Sequence, residues 1–174
     1  MVAELVHPSE FDAYLSGDPH AALVAAEAAV RSYCGWHVAP SKAETVTVWG
    51  DGAAVLLVPS LHVTEVAEVR VDGKVVDGYT WRVHGALHGR CLRGRVEVDM
   101  THGFPADSPA GEVLRSTILA VAARAIASPS GVVRAQVGQI SETYSQTGFN
   151  QAGGVALLDG EMATLDRYKL PPRP

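Results

Sequence analysis

Two stretches of the chain carry apolar residues at helical spacing, and each is preceded by a capping residue and a proline. Asp18-Pro19 opens the first stretch and Ser108-Pro109 opens the second. A side-chain oxygen followed by proline at the first helical position is typical of a helix N-terminus. The pattern therefore predicts two long helices, the first of which ends near Cys34.

Shorter helices are predicted near both ends of the sequence. Ser9, followed by Asp12 three residues later, opens one of them, and Gly17 ends it. Asp159 is the predicted cap of a last short helix that carries Leu165. With the two long helices, the sequence predicts four helices.

Between residues 43 and 104 the apolar spacing changes to two, which is typical of half-buried strands. Strict alternation places Glu65 and Glu68 on opposite faces of one strand, whereas Glu97 and Asp99 share a face of another. Asp-Gly dipeptides suit the tight turns of antiparallel hairpins. The stretch therefore predicts five or six antiparallel strands with turns at Asp51-Gly52, Asp72-Gly73 and Asp77-Gly78.

These elements combine into an α+β fold. Residues 1–42 form the helical part of a core, residues 43–104 form an inserted antiparallel β module, and residues 105–131 supply a further core helix. Residues 132–174 form an extended arm, a short helix and a proline-rich C-terminal tail. We expect a small helical core of two N-terminal helices, one central helix and one short C-terminal helix, interrupted by the β module.

Composition and charge exclude several classes of protein. With 47% hydrophobic residues the chain is able to form a core, and no run approaches the roughly 18 apolar residues of a membrane span. Because no secretory signal begins the sequence, we expect a soluble, unprocessed protein with no membrane partner. Cys34 and Cys91 stand far apart and fit a reducing compartment. The net charge of −5 argues against a free-standing nucleic-acid binder.

Motifs for catalysis and cofactor binding are missing from the sequence. It contains no nucleophile elbow, no phosphate-binding loop and no dinucleotide fingerprint. Of the seven histidines, His84 and His88 are four residues apart, a spacing that would suit metal ligands only on a helix, which Gly85 and Gly89 in a β context argue against. Glu97 and Asp99 alternate with apolar residues as the solvated side of a strand does. We therefore expect no enzyme, no catalytic residue, no metal site and no cofactor.

One short stretch is locally basic. Arg90, Arg93 and Arg95 lie close together in the glycine-rich segment 88–95, which we predict to be a hairpin loop. Clustered guanidinium groups can bind phosphates or the acidic surface of a protein partner. The plainer interpretation is a solvated loop tip, and the absence of interleaved aromatic residues argues against base stacking.

Seven segments that are individually weak follow one another in a specific order. They are Ser32–Pro40, Glu44–Val48, Val55–Leu61, Val63–Val66, Tyr79 with Trp81, Val96–Phe104 and Ala122–Val132. Together, over about residues 15–170, they resemble the head-to-tail connector proteins of long-tailed double-stranded DNA phages that infect actinobacteria. These are also called adaptor or head-completion proteins.

The resemblance implies a structural protein of the virion neck that is assembled in the host cytoplasm. Proteins of this family form a ring, usually a dodecamer, below the portal, extend the DNA channel and bind the next neck or tail protein. DNA would pass through such a ring without sequence-specific binding, and a neutral or acidic lumen would let it slide.

The resemblance also assigns partner-binding residues. In the family the C-terminal segment reaches the portal, which points to Leu165–Pro174 here, with Leu165, Tyr168 and Leu170 as apolar contacts. The arginines Arg90, Arg93 and Arg95 would contact a neighbouring subunit or the tail-side partner.

Two alternatives remain open. A head-closure or tail-terminator protein would differ mainly in its partner, although such proteins are dominated by β-barrel structure and the capped helices here favour the adaptor. A small ligand-binding domain or enzyme would require a pocket lined by convergent polar groups. The few aromatic residues of the β module, chiefly Trp49, Tyr79 and Trp81, argue mildly against that class.

Overall fold

The structure is a computed structural model that describes residue 9 and residues 16–89, 92–127 and 154–171, together with the backbone of four short strands between residues 134 and 152. Packing divides the chain into two compact units. The helical unit comprises Met1–Tyr33 and Val113–Arg167, and the sheet unit comprises Cys34–Glu112 and Tyr168–Pro174. The predicted division into residues 1–42, 43–104, 105–131 and 132–174 stays a prediction.

The described residues contain three helices and antiparallel sheets, which confirms the α+β class. The helices are α1 (Pro19–Cys34), α2 (Pro109–Ala127) and α3 (Asp159–Leu165), and a short 3₁₀ turn (Asp166–Tyr168) follows α3. The expected count of four helices is therefore not matched in the part of the chain that the structure describes. The predicted helix from Ser9 to Gly17 lies outside the described residues, apart from Ser9, Ser16 and Gly17.

The two long helices begin as the sequence predicts. The backbone N–H of His20 donates to Asp18 Oδ1 at 3.1 Å, and that of Gly111 donates to Ser108 Oγ at 3.0 Å. The predicted cap of the last helix is wrong, because Asp159 is already its first helical residue. Glu161 instead reaches back with Oε2 to accept the N–H of Leu158 at 2.8 Å.

The described residues of the sheet unit form seven strands rather than five or six. These strands form a four-stranded sheet in the order β1-β7-β3-β4 and a three-stranded sheet in the order β2-β6-β5, and every pairing is antiparallel. Of the three predicted hairpin turns, only Asp72-Gly73 joins strands that pair, and the predictions at Asp51-Gly52 and Asp77-Gly78 are wrong because the strands on either side belong to different sheets. The strand that the sequence pattern missed is β6, whose three residues lie between Gly85 and Gly89. The strands are β1 (Lys42–Asp51), β2 (Val55–Leu57), β3 (Val63–Val71), β4 (Lys74–Val75), β5 (Thr80–Trp81), β6 (Ala86–His88) and β7 (Arg93–His102).

The core of the sheet unit is aliphatic. Its buried members come from both sheets, so each sheet has one face on the core. They are Val48, Leu56, Val58, Val63, Val69, Leu87, Leu92, Val96, Val98 and Met100. The opposite side of the four-stranded sheet is called the outer face below. It carries Thr45, Thr47, Trp49, Glu65, Glu68, Arg70, Arg95, Glu97, Asp99 and Thr101, because directly paired residues share a face.

Two bulges in β3 overturn the expected alternation of that strand. Its register against β7 shifts between Val63 and Glu65 and again between Val66 and Glu68. Each shift inserts one extra residue, so residues three apart in β3 share a face. Glu65 and Glu68 therefore both lie on the outer face, and the prediction that they face opposite sides is wrong.

The helical unit has a core built largely from small side chains. Ala22 and Ala26 of α1 pack with Val121, Ala122 and Ala125 of α2. Alanine contacts allow two helix backbones to approach closely, as the alanine-rich pattern indicates. Val155 and Leu157 pack against the same cluster.

Residues 132–154, which we predict to be an extended arm or long loop, include four short strands. β8 (Arg134–Val137) pairs with β9 (Ile140–Thr143), and β10 (Gln146–Thr147) pairs with β11 (Gln151–Ala152). Among the described residues, no helix is both long enough and apolar enough to cross a membrane.

Candidate assembly surfaces

The three apolar residues assigned to partner binding near the C-terminus pack within the chain. Leu165, in the last turn of α3, is fully buried, and Tyr168 is 8% exposed. Leu170 is half-buried and is followed by an exposed proline, Pro171. A role of these residues in binding a partner stays a prediction.

Specific contacts hold the start of the C-terminal segment in the sheet unit. The indole Nε1–H of Trp36 donates to the backbone oxygen of Tyr168 at 2.7 Å, and this bond is buried. The N–H of Leu170 donates to the carbonyl of Cys34 at 2.9 Å. The ring of Tyr168 meets that of Phe104 edge to face, with centroids 5.5 Å apart. Residues 168–170 are thus anchored, whereas Pro171 is exposed.

The arginine cluster lies partly on a strand rather than on a loop. Arg93 and Arg95 belong to β7, and Arg90 lies outside the described residues. The side chain of Arg95 is 62% exposed and pairs with Glu97 at 2.8 Å. Arg93 is exposed and makes no ion pair within the described residues.

Asp72 fixes the backbone beside these arginines. Its Oδ1 accepts the N–H of Arg95 at 3.0 Å, and its own N–H donates to the Arg95 carbonyl at 2.8 Å. Gly94 has a φ of +107°, and a Cβ placed there would lie 2.7 Å from Asp72 Oδ2. Glycine is therefore required next to the turn that joins β3 to β4.

Ion pairs dominate the middle of the outer face. Arg70 donates to both oxygens of Asp99, at 2.8 and 3.1 Å, and also pairs with Glu68 and Glu97. The hydrogen bond from Thr45 and that from Arg70 hold the pKa of the Asp99 carboxyl below its usual range, against the opposing effect of desolvation. The bonds to Asp99 and Glu68 raise the pKa of Arg70.

The sequence pattern identified the Glu97–Asp99 pair and also Glu68, but it put Glu68 on the wrong face relative to Glu65 and missed Arg70. Glu68 and Arg70 lie in β3, whose bulges concealed their face. Because Asp99 is hydrogen-bonded as an anion, it is unsuited to donate a proton as a general acid. The network therefore favours a structural role for the two carboxylates, as the alternation in β7 indicates.

A buried histidine lies at the other end of β7. His102 Nε2 and Glu44 Oε1 are 2.7 Å apart, and Glu44 also pairs with Lys42 at 2.6 Å. For Glu44, burial raises the pKa, but the hydrogen bonds from Lys42 and His102 outweigh it and leave the pKa lowered. The rings of Trp36 and His37 lie near His102. No group of three or more potential metal ligands occurs among the described residues.

The helical unit contains an ion pair whose two side chains are largely buried. Arg124 Nη1 and Nη2 donate to the two oxygens of Glu161 at 2.9 Å, and the two side chains are only 15% and 13% exposed. Arg124 also donates to the carbonyl of Ala156 at 2.8 Å. One carboxylate thus caps α3 and ties it to α2.

Comparison with solved structures identifies proteins that share this fold. A chain from the neck of a native GTA particle with C12 symmetry is 20% identical, with 99% of this chain and 97% of that chain covered and a TM-score of 0.52. A chain from the neck of an empty GTA particle with C6 symmetry is 17% identical, with 89% and 79% covered and a TM-score of 0.51. No protein-family model and no curated protein sequence matches the chain. The chain therefore has a fold that is found in the necks of GTA particles.

Proposed function

We propose that this protein is a structural component of the neck of a phage or phage-like particle and that it assembles there as a ring. The observation that carries the proposal is the fold shared, over 99% of this chain, with a chain of a C12-symmetric neck. The order of the connector-like segments in the sequence supports the same role. Membership of the actinobacteriophage connector family is part of the proposal.

In this role the ring lies below the portal and continues the DNA channel towards the tail. The net charge of −5 suits a channel through which DNA moves without binding to the wall, because an acidic or neutral wall repels phosphates. The ring also presents a platform for the next neck or tail protein.

The C-terminal segment is the proposed portal contact. Leu165 and Tyr168 anchor its base, and Leu170 is bonded to Cys34, so the portal would meet the outer side of Leu170 and the residues that follow. The exposed arginines Arg93 and Arg95, with Arg90, are the proposed contact to a neighbouring subunit or to the tail-side partner.

Mass photometry with and without the purified portal protein tests the proposal. We expect the portal to induce a ring of twelve copies of the 18.3 kDa chain, about 220 kDa in addition to the portal. Removing residues 171–174 should abolish this assembly and leave the fold intact. If no binding to the portal is detected at micromolar concentrations, the proposed role as an adaptor is wrong.

A head-closure or tail-terminator role is the second candidate. This second role is supported by the neck chain with C6 symmetry that shares the fold. In that case the protein would bind a purified tail-tube or adaptor ring in the same assay, and it would not bind the bare portal.

A further inference from the structure

The outermost strand of the four-stranded sheet has a free edge. β1 pairs with β7 through ten consecutive residue pairs without a register shift. No strand among the described residues pairs with the other side of β1. Along such an edge, half of the backbone N–H and C=O groups point away from the sheet and can bond to another strand.

The other edge of the same sheet is protected in the usual ways, whereas β1 is not. There, β4 is only two residues long and β3 carries two bulges. Short strands, bulges, prolines and charges are the devices that stop an edge from pairing. β1 has no proline and no bulge, and the charge of Lys42 at its start is paired with Glu44.

The outer side chains of β1 also suit a protein contact. Ala43, Thr45, Thr47 and Trp49 are uncharged, and Trp49 is 78% exposed. Asp51, at the very end of the strand, accepts the N–H of Ala53 at 2.8 Å. Exposed tryptophan beside arginine is the composition that dominates binding energy in protein interfaces, and Arg95 lies directly opposite Trp49.

The same chain contains a two-stranded ribbon, formed by β8 and β9 through four residue pairs. Within the part of the chain that the structure describes, no third strand pairs with it. An isolated two-stranded hairpin is marginally stable in water, and a third strand is what such a ribbon needs.

We propose that the free edge of β1 in one copy receives the β8–β9 ribbon of a second copy as added strands. This inference rests on the proposed ring. The contact is heterologous, since the edge and the ribbon are different surfaces of the chain. Repeated contacts of this kind close into a ring when the rotation between copies permits. Strand addition supplies the backbone hydrogen bonds, and burial of Trp49 supplies apolar area.

Blocking the edge is the first test. Thr47→Lys places a charge on the edge strand, and its direct partner Glu97 accommodates that charge in the fold. We expect the variant to lower the affinity between copies about tenfold or more, as measured by sedimentation over a concentration series with portal present. Val75→Lys, on the protected edge at a residue that is 58% exposed, is the matched control and should assemble like the wild type.

Mixing two variants tests whether the segment that binds the edge of β1 is the β8–β9 ribbon of a second copy. In the second variant a Gly-Ser linker of equal length replaces residues 134–143, so its edge is intact but its ribbon is missing. At a concentration just sufficient for assembly of the wild type, neither variant alone should associate, whereas a mixture of this variant with Thr47→Lys should form complexes that stop at one copy of each. A second readout is the tryptophan emission of the chain, in which the contribution of the exposed Trp49 should move the spectrum to shorter wavelength in the wild-type assembly and in this mixture.

Each outcome decides the question. Normal rings from either variant overturn the inference and leave the proposed function standing, whereas a wild-type chain that forms no ring on the portal contradicts the proposed function itself. If the mixture does not associate although circular dichroism shows that both variants are folded, the β8–β9 ribbon is not the segment that binds the edge of β1. If Thr47→Lys fails to fold, the linker variant alone decides, because its normal assembly refutes the inference.

Discussion

At the scale of single residues, the polar side chains of the outer face are fixed by one arginine. Arg70 lies among Glu68, Glu97 and Asp99, and Thr45 Oγ1 donates to Asp99 Oδ1 at 2.5 Å. The sequence shows the two carboxylates of β7 two residues apart. Their cation comes from a neighbouring strand with shifted register, which no local pattern reveals.

The lowered pKa of Asp99 predicts a loss of stability in acid. Because its pKa is lower in the folded chain than the roughly 3.9 of an unfolded chain, its contribution is complete above about pH 4 to 5. That contribution is lost as the pH falls through the folded-state value. Urea unfolding from pH 6 to pH 2 should show this decline, and Asp99→Asn should flatten it. Asp107→Asn, at an exposed residue before α2, should leave the decline unchanged.

Two glycines with similar backbone angles predict unequal costs of substitution. Gly94 and Gly73 both have positive φ, at +107° and +79°. An added Cβ meets Asp72 at Gly94 but nothing within 4 Å at Gly73. We expect Gly73→Ala to lower the free energy of unfolding by about 1 kcal/mol and Gly94→Ala by about 3 kcal/mol. Equal losses in denaturant titrations would show that Asp72 moves aside freely.

At the scale of elements, the caps of the two long helices followed local chemistry, whereas the last helix did not. Of the three Asp-Gly turns, only Asp72-Gly73 joins strands that pair, because the strands on either side of each of the other two belong to different sheets. Asp18 and Ser108 cap α1 and α2 through their side-chain oxygens. α3 is capped by Glu161, which α2 holds through Arg124. A seven-residue helix is too short to be stable alone, so its start depends on this tertiary contact.

Removing the Glu161 carboxylate should therefore loosen α3. Glu161→Ala leaves the guanidinium of Arg124 buried without its partner, and we expect a loss of about 3 kcal/mol in unfolding free energy. Hydrogen exchange in residues 158–167 should accelerate. The matched control is Glu27→Ala, which breaks an exposed pair with Arg31 within α1 and should cost about 0.5 kcal/mol or less. Similar losses of unfolding free energy for both variants would contradict the role of Glu161 as the cap of α3.

At the scale of the whole molecule, the chain crosses between its two units three times, after Tyr33, after Glu112 and after Arg167. Both α1 and α2 contribute residues to each unit, so the boundaries of secondary structure are not the boundaries of packing. The β module appears in the sequence as an insertion between helices. The sheet unit is larger than that insertion, since it includes the ends of two helices and the C-terminal segment.

The charge of the whole molecule predicts weak contact with DNA. The chain has 14 basic and 19 acidic residues, so few counterions would be released on binding. We expect no binding of a 30-base-pair duplex at 150 mM salt, with any Kd above about 100 µM by fluorescence anisotropy. A micromolar Kd that rises steeply with salt concentration would show that the arginines near β7 bind phosphate. That result would overturn the proposal that the channel wall does not bind DNA.

The sequence by itself determined the α+β class, the caps of α1 and α2, and most strands, because these depend on residues within one turn or one hairpin. Only the tertiary structure decided the faces of β3, the cap of α3 and the sheet order, because bulges, cross-helix ion pairs and strand neighbours join residues far apart in the chain. The edge of β1 belongs to this second group. A strand lies at an edge because of where its neighbours are. Its side chains alternate in the same way as those of a strand in the middle of a sheet, so the sequence pattern does not distinguish the two.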